Sequence, residues 1–391
     1  MSMSIMGFVI AVGALDEQSA AYPAAQNFID LYQNEVEQIT IFGPTEAAID
    51  RDGVEVVTVP RNPPSNVPLR LLSYIWYQLR LAIELFRTRD ECDSMFFHIG
   101  GTALLLPVLA CRLAGIPTNV FVLGSASRSY AETHSRNPLS AVIVRLLITL
   151  EWVTCRLVDR VLVLSEGMVS PGDGRFSPAE RVTANLNYIN CERFEQGPPA
   201  RERPYDLVYI GRFEREKGIS KLAHALTRLV KCRPDVRVRL IGDGSLRDEV
   251  ERVLQEGDAT GQVEVTGWVD HAEIPAHLAA SRLLVLPSES EGVPKSILEA
   301  MACRTVPVTT PVGGIPDIVA DGKTGILLAD NDPATIARAL NRALDRADLD
   351  EMATRARAYV RETHSYEATA ERFRTLLAVD SEAAIEPDLS R

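Results

Sequence analysis

Short apolar runs, punctuated by polar or glycine-bearing turns, alternate along this chain with longer stretches of helical period. In the first half, Met6 to Val12, Val36 to Phe42, Val54 to Val59, Met95 to Ile99, Thr118 to Leu123 and Arg160 to Leu164 predict strands. Ala24 to Leu31, a segment ending at Ala114, and Leu139 to Leu157 predict helices. The second half repeats the alternation, with strands expected at Leu207 to Ile210, Val236 to Ile241, Val263 to Gly267, Leu283 to Leu286 and Val306 to Thr310. Most of these runs are apolar on both faces, as strands of a covered parallel sheet must be. Strand, loop, helix, strand is the order of an α/β protein with helical crossovers.

Leu69 to Arg89 departs from that pattern. At 100° per residue Ser73, Arg80, Glu84 and Arg87 share one narrow stripe, and the rest of the circumference is mostly apolar or aromatic. Two readings fit: a helix mostly buried in the first domain, or a helix resting on a membrane surface through Trp76, Tyr74, Tyr77 and the flanking arginines. No uncharged run reaches the roughly 18 residues that a spanning helix needs, and the apolar stretch from Ile5 to Leu15 reads as a first strand, without a basic leader or a small-residue cleavage site.

Composition narrows the class. The chain has 391 residues, a length that suggests two domains, and 53 acidic residues against 41 basic ones give a net charge of -12. That balance argues against a general nucleic-acid binder. The six cysteines are scattered without a C-x-x-C pair, which suits a reducing compartment, and the six histidines lack zinc-ligand spacing.

The stretch from Leu283 to Asp317, LLVLPSESEGVPKSILEAMACRTVPVTTPVGGIPD, concentrates the candidate chemistry. Pro294 suits a first helical turn, and Gly313-Gly314 suits a tight strand-to-helix turn. Glu291 lies in the first loop and Glu299 in an otherwise apolar helical turn, where a lone carboxylate needs a partner. A vicinal diol offers two hydroxyl donors to such a group. Upstream, Gly211-Arg212-Phe213 and Lys217-Gly218 flank another strand-to-helix loop, with a planar guanidinium fork and a point charge suited to phosphate oxygens.

The segment EGVPKSILEAMACRTVPVTTPVGGIPDIV closely resembles the donor-site signature of the retaining glycosyltransferases of family 4, with Glu291 and Glu299 as its E-x7-E pair. The resemblance runs from about Asp206 to about Leu328 and is weaker before that. It implies a GT-B fold: two Rossmann-like α/β domains with parallel sheets facing a cleft. The boundaries expected are residues 1–187 for an acceptor-side domain, 188–204 for a linker, 205–365 for a nucleotide-sugar domain, 366–379 for a helix returning to the first domain, and 380–391 for a disordered tail. It further implies transfer of a sugar, with retention, from a UDP or GDP sugar to a glycan or lipid-linked acceptor, in cell-surface polysaccharide or glycoprotein glycan assembly. By that resemblance Arg212 and Lys217 hold the donor diphosphate, Glu291 lies beside the transferred sugar, and Glu299 binds the ribose. Gly13, Gly292, Val293, Pro294 and Ser296 approach sugar or phosphate. No cofactor or metal is expected, because the two cations take over that role. Asp330-Asn331-Asp332 is read as a helix cap before Pro333 and not as a manganese motif. A cytoplasmic location follows, with peripheral contact at the inner face of the plasma membrane if the surface reading of Leu69 to Arg89 holds.

The first domain departs from the family in two places. Leu123 stands where a histidine is usual, and Gly13 is the lone glycine of a thin first loop. His98, at a neighbouring strand end, is either a substitute catalytic group or a satisfied core residue. Two rivals remain: a sugar-nucleotide epimerase of the same fold, and a catalytically silent sugar-nucleotide-binding subunit. A nicotinamide dehydrogenase fits worse, since Gly242-Asp243-Gly244 lacks a third glycine.

Overall fold

The computed structural model describes residues 5–10, 22–44, 49, 51–61, 67–98, 103–122, 140–165 and 180–383. The chain forms two compact units, one of Met1–Leu186 with Ala370–Arg391 and one of Asn187–Thr369. Gly13, Leu123 and 384–391 of the expected tail lie outside the described residues.

The first unit contains β1 (Ile5–Ile10), α1 (Tyr22–Gln33), β2 (Gln38–Gly43), β3 (Val54–Thr58), α2 (Val67–Arg87), β4 (Ser94–His98), α3 (Leu105–Ala114), β5 (Thr118–Val122), α4 (Ser140–Leu157), β6 (Arg160–Val163) and β7 (Glu180–Thr183). Among its described residues seven strands form one parallel sheet in the order β3-β2-β1-β4-β5-β6-β7. Alternate strand residues face opposite layers. Val9, Phe42, Phe97, Val120 and Val161 meet the inner sides of α2, α3 and α4 through Tyr77, Leu81, Leu85, Val108, Cys111 and Cys155. On the other face Phe8 and Phe96 meet Tyr32 of α1.

Leu69 to Arg89 is not the mostly buried helix of the first reading. Tyr77, Gln78, Leu81 and Leu85 of α2 are buried, while Leu72, Trp76, Leu79, Ile83 and Phe86 are exposed. The helix is therefore apolar inward and outward. Tyr74 and Tyr77 belong to the inner side: their rings stack at 6.5 Å, and the Tyr74 hydroxyl donates to the Ala103 carbonyl at 3.0 Å.

The second unit contains β8 (Tyr205–Ile210), α5 (Ile219–Cys232), β9 (Val238–Ile241), α6 (Arg247–Glu256), β10 (Val263–Gly267), α7 (Ile274–Ala279), β11 (Ser281–Leu286), α8 (Lys295–Ala302), β12 (Val306–Thr309), α9 (Ile315–Ile318), β13 (Ile326–Leu327), α10 (Pro333–Leu344) and α11 (Leu349–Thr363). Its six strands run parallel in the order β10-β9-β8-β11-β12-β13. The strand order reverses between β8 and β11. Such a reversal leaves a crevice at the carboxyl ends of the two strands, where ligands of open α/β sheets bind.

Residues 188–204, expected as a linker, fall within the second unit. The Ile189 amide donates to the His364 carbonyl at 2.8 Å, and the Ala200 amide to Asp350 Oδ1 at 2.9 Å. Arg203 anchors the segment by donating to the carbonyls of Pro198 at 2.8 Å and Ser281 at 2.7 Å, and burial lowers its pKa to about 10. A last helix, α12 (Tyr366–Ala383), crosses the boundary between the units, and from Ala370 onward it belongs to the first. There Phe373 stacks on Tyr32 at 4.5 Å.

Candidate donor site of the second unit

The strand-order reversal brings two loops together. The loop after β8 carries Arg212 and Lys217, and the loop after β11 carries Glu291. Their chains approach closely because glycine stands at the contacts. Gly218 has φ of +68°, and a Cβ there would collide with the Pro287 carbonyl. Gly313, at φ +56°, lies against the Glu291 carbonyl in the same way, so that any side chain would clash with backbone. The Gly314 amide then donates to the Gly292 carbonyl at 2.8 Å.

Within this frame Lys217 Nζ donates to both oxygens of Glu291, each at 2.8 Å. The Glu291 side chain is only 6% exposed and that of Lys217 20%, so the pair is largely withdrawn from water. Ser288 Oγ donates to Glu291 Oε1 at 2.7 Å. Serine at 288 is itself held, since its carbonyl accepts from Thr310 Oγ1. An ammonium has three protons, and two of them face the carboxylate, which leaves one for a ligand.

Arg212 sits in the same loop but not on that pair. Its guanidinium donates to Glu216 Oε1 at 2.8 Å and is about half exposed. The backbone beneath is tied down by the Tyr209 hydroxyl, which donates to the Arg212 carbonyl at 2.7 Å. Burial, with the nearby charges of Glu291 and Glu216, raises the Tyr209 phenol, so it stays a neutral donor. Glu214 accepts from the Ser245 amide at 3.0 Å and hydroxyl at 2.6 Å, and these bonds hold its carboxyl below the ordinary range.

Glu299 is buried on α8, and the partner its environment demanded is His271, whose Nε2 lies 3.0 Å from Glu299 Oε1. The histidine side chain is 52% exposed and that of Glu299 8%. Sequence reasoning missed this residue; its one signal was a histidine in the polar turn after β10. Pro294 is the residue before α8, with extended φ and ψ of -71° and 120°, one place earlier than a first-turn proline. Val293 is buried and its carbonyl accepts from Asn187 Nδ2 at 3.4 Å, while Ser296 lies in the first turn of α8 and is partly buried. Asp332 does cap: its side chain accepts from the Ala334 amide at 2.8 Å, with Pro333 at the start of α10.

His98 belongs to the first unit. It ends β4 in the first unit, is fully buried, stacks on Phe121 at 4.4 Å and shares a 3.0 Å hydrogen bond with the Tyr32 hydroxyl through Nε2. Burial lowers its pKa well below the usual histidine value. Of the two readings of this residue, the geometry gives a core histidine, with no surface for a substrate to touch.

Taken together, the loops of the second unit present a cation, two buried carboxylates and a helix N-terminus at the carboxyl ends of parallel strands. Residues 191–363 match the family model "Glycosyl transferases group 1". The group 1 match thus covers most of the second unit and every candidate residue in it. An α-D-kanosaminyltransferase of Streptomyces kanamyceticus is 28% identical to this chain over 277 residues, covering 68% of this chain and 69% of that protein. Sucrose-phosphate synthase of Thermosynechococcus elongatus has a similar structure, with a TM-score of 0.76 at 18% identity, over 97% of this chain and 100% of that one. HepE of Anabaena, solved in complex with UDP, gives 0.73 at 17% over 96% and 100%. At such identities the likeness is one of fold, and the fold is GT-B.

Proposed function

We propose that this chain is a retaining glycosyltransferase that moves a sugar from a nucleoside-diphosphate donor to a glycan or lipid-linked acceptor without a metal. The observation that carries the reading is the Lys217–Glu291 pair at the reversal between β8 and β11, with Glu299 on the following helix. A diphosphate approaching Lys217 accepts a hydrogen bond from the remaining ammonium N–H, and the Arg212 fork is close in sequence and exposed enough to turn toward it. As the bond from the anomeric carbon to the diphosphate lengthens, negative charge grows on the leaving oxygen. The cations then bind the transition state more strongly than the ground state, which is what accelerates the reaction. The first turn of α8, beginning two residues after Val293, adds amide donors to the same loop.

Glu299 suits the ribose. His271 occupies one site on one carboxylate oxygen, and a carboxylate offers about four. Two sugar hydroxyls therefore find acceptors without displacing the histidine. Support also comes from HepE, which binds UDP in a fold of the same kind, and from a glycosyltransferase relative spanning more than two thirds of this chain.

The reading is tested by incubating the protein with nucleoside diphosphates and their sugars and following unfolding. A ligand at about a hundred times its Kd stabilises by about 2.7 kcal/mol, which raises the midpoint of a domain this size by roughly 5–10 °C. No shift with any uridine, guanosine or adenosine diphosphate or its sugars refutes the donor site. A shift without transfer to any acceptor, and without donor hydrolysis, points to the silent binding subunit instead.

A further inference from the structure

Twelve of the thirteen large apolar residues exposed among the described residues lie on three helices of the first unit. Seven are on α2, from Leu69 to Phe86, two on α3, Leu109 and Leu113, and three on α4, Val142, Leu146 and Trp152. The thirteenth, Trp268, is alone on the second unit. The clustering is not an accident of three separate surfaces. All three helices pack their buried sides on one face of the seven-stranded sheet, and α3 is tied to both neighbours. The Leu106 amide donates to Gln78 Oε1 of α2 at 3.1 Å, and Arg112 donates to the Leu157 carbonyl of α4 at 2.9 Å. The outward sides therefore make one layer, larger than the scattered apolar exposure of ordinary surfaces.

Charge on these helices runs against that of the chain. They carry Arg70, Arg80, Arg87, Arg112, Arg145 and Arg156 against Glu84 and Glu151, six minus two, for a net charge of +4 in a chain of -12. Glu151 is fully buried and Glu84 is paired with Arg87 at 2.8 Å, so little acid faces outward from them. Arg156 lies 4.1 Å over the Trp152 ring. Aromatic and aliphatic side chains set among arginines, on helices that lie flat, match the acyl and anionic headgroup layers of a bilayer surface. A second copy fits less well, because a two-fold contact would set the same arginines against one another. Among the described residues no helix is long and apolar enough to cross a membrane, so the contact is one of surface, not span.

We infer that α2, α3 and α4 form a docking face for anionic bilayers, through which the first unit lies on a membrane. The inference does not rest on the transfer reaction and is tested without it. The full chain is sedimented with phosphatidylcholine vesicles, with and without phosphatidylglycerol, at low and high salt, while tryptophan emission is recorded. Binding to the anionic vesicles, weakened by salt and accompanied by a blue shift from Trp76 and Trp152, is expected. Leu72→Ser/Trp76→Ser/Ile83→Ser, all outward on α2, should lower vesicle partitioning at least about tenfold, with an unchanged thermal midpoint because none of the three fills the core. Replacing Arg80, Arg145 and Arg156 by glutamine should remove the preference for phosphatidylglycerol. Absence of binding to anionic vesicles at low salt overturns the inference, as does undiminished binding of the triple-serine variant. A concentration-dependent dimer abolished by those serines, with no vesicle binding, would assign the face to a second copy.

Discussion

Lys217→Ala separates what the ion pair does for the fold from what it does for the reaction. In the free protein the ammonium satisfies both oxygens of a carboxylate that is only 6% exposed, and Ser288 Oγ is the other donor on it. Truncation leaves that charge enclosed with a single neutral partner. Removing one member of a buried pair costs 3–5 kcal/mol, and the partial exposure of Lys217 places this case at about 3 kcal/mol. The second unit should lose roughly 6–12 °C in midpoint. Glu291→Gln keeps the geometry, drops the charge and should cost only about 1–2 kcal/mol. In the double variant no enclosed charge remains, so its loss should fall about 2 kcal/mol short of the sum of the two. Urea unfolding of the three variants, followed through the second unit's transition, measures this. Additive losses, or a Lys217→Ala protein as stable as the parent, would refute the electrostatic account of the pair. Kinetics give an independent readout. A hydrogen bond to a charged group contributes about 1.5–3 kcal/mol, so transfer by Lys217→Ala should slow ten- to a hundredfold or somewhat more, in turnover as well as in donor affinity. Turnover and affinity both intact would move the phosphate elsewhere.

On the proposed ribose role, Glu299→Ala should act mainly on donor binding, since a ribose held alike in ground and transition states contributes equally to both; a fall in turnover equal to the fall in kcat/KM would contradict that role. Donor turnover should survive EDTA, and abolition with rescue by manganese or magnesium would sink the metal-free reading. For His98, the folded-state pKa is depressed by burial, so its contribution is complete above the unfolded value of about 6.5 and is lost as pH falls toward the folded one. First-unit stability should decline by at most about 1.4 kcal/mol per pH unit in that window, and urea midpoints of His98→Phe should lack that slope; an identical slope in the variant would assign the acid sensitivity to other groups.

The second unit was the more legible of the two, for a physical reason. Its strands are short and its central ones largely buried, its turns need glycine at fixed backbone angles, and proline marks where α8 and α10 begin, so each element leaves a local signal. Pairings across the sheet leave none. Lys217 and Glu291 are 74 positions apart and His271 and Glu299 are 28 apart, and the strand order alone brings each couple together. Strand β7, reading Glu180-Arg181-Val182-Thr183, has no apolar run to betray it. Nor does periodicity distinguish a helix with one buried face from one with apolar residues on both sides, which is why α2 supported two readings.

The backbone contacts at Gly218 and Gly313 carry a consequence for how such a site can diverge. Exposed or partly exposed side chains around the crevice, such as Ser296 and Arg212, do not determine where the loops stand. The two glycines set how closely these segments approach, since a single methyl at Gly218 meets the Pro287 carbonyl and one at Gly313 the Glu291 carbonyl. Variation in this protein's descendants, natural or selected in the laboratory, should therefore redraw what the crevice accepts while the gap between its walls is inherited unchanged.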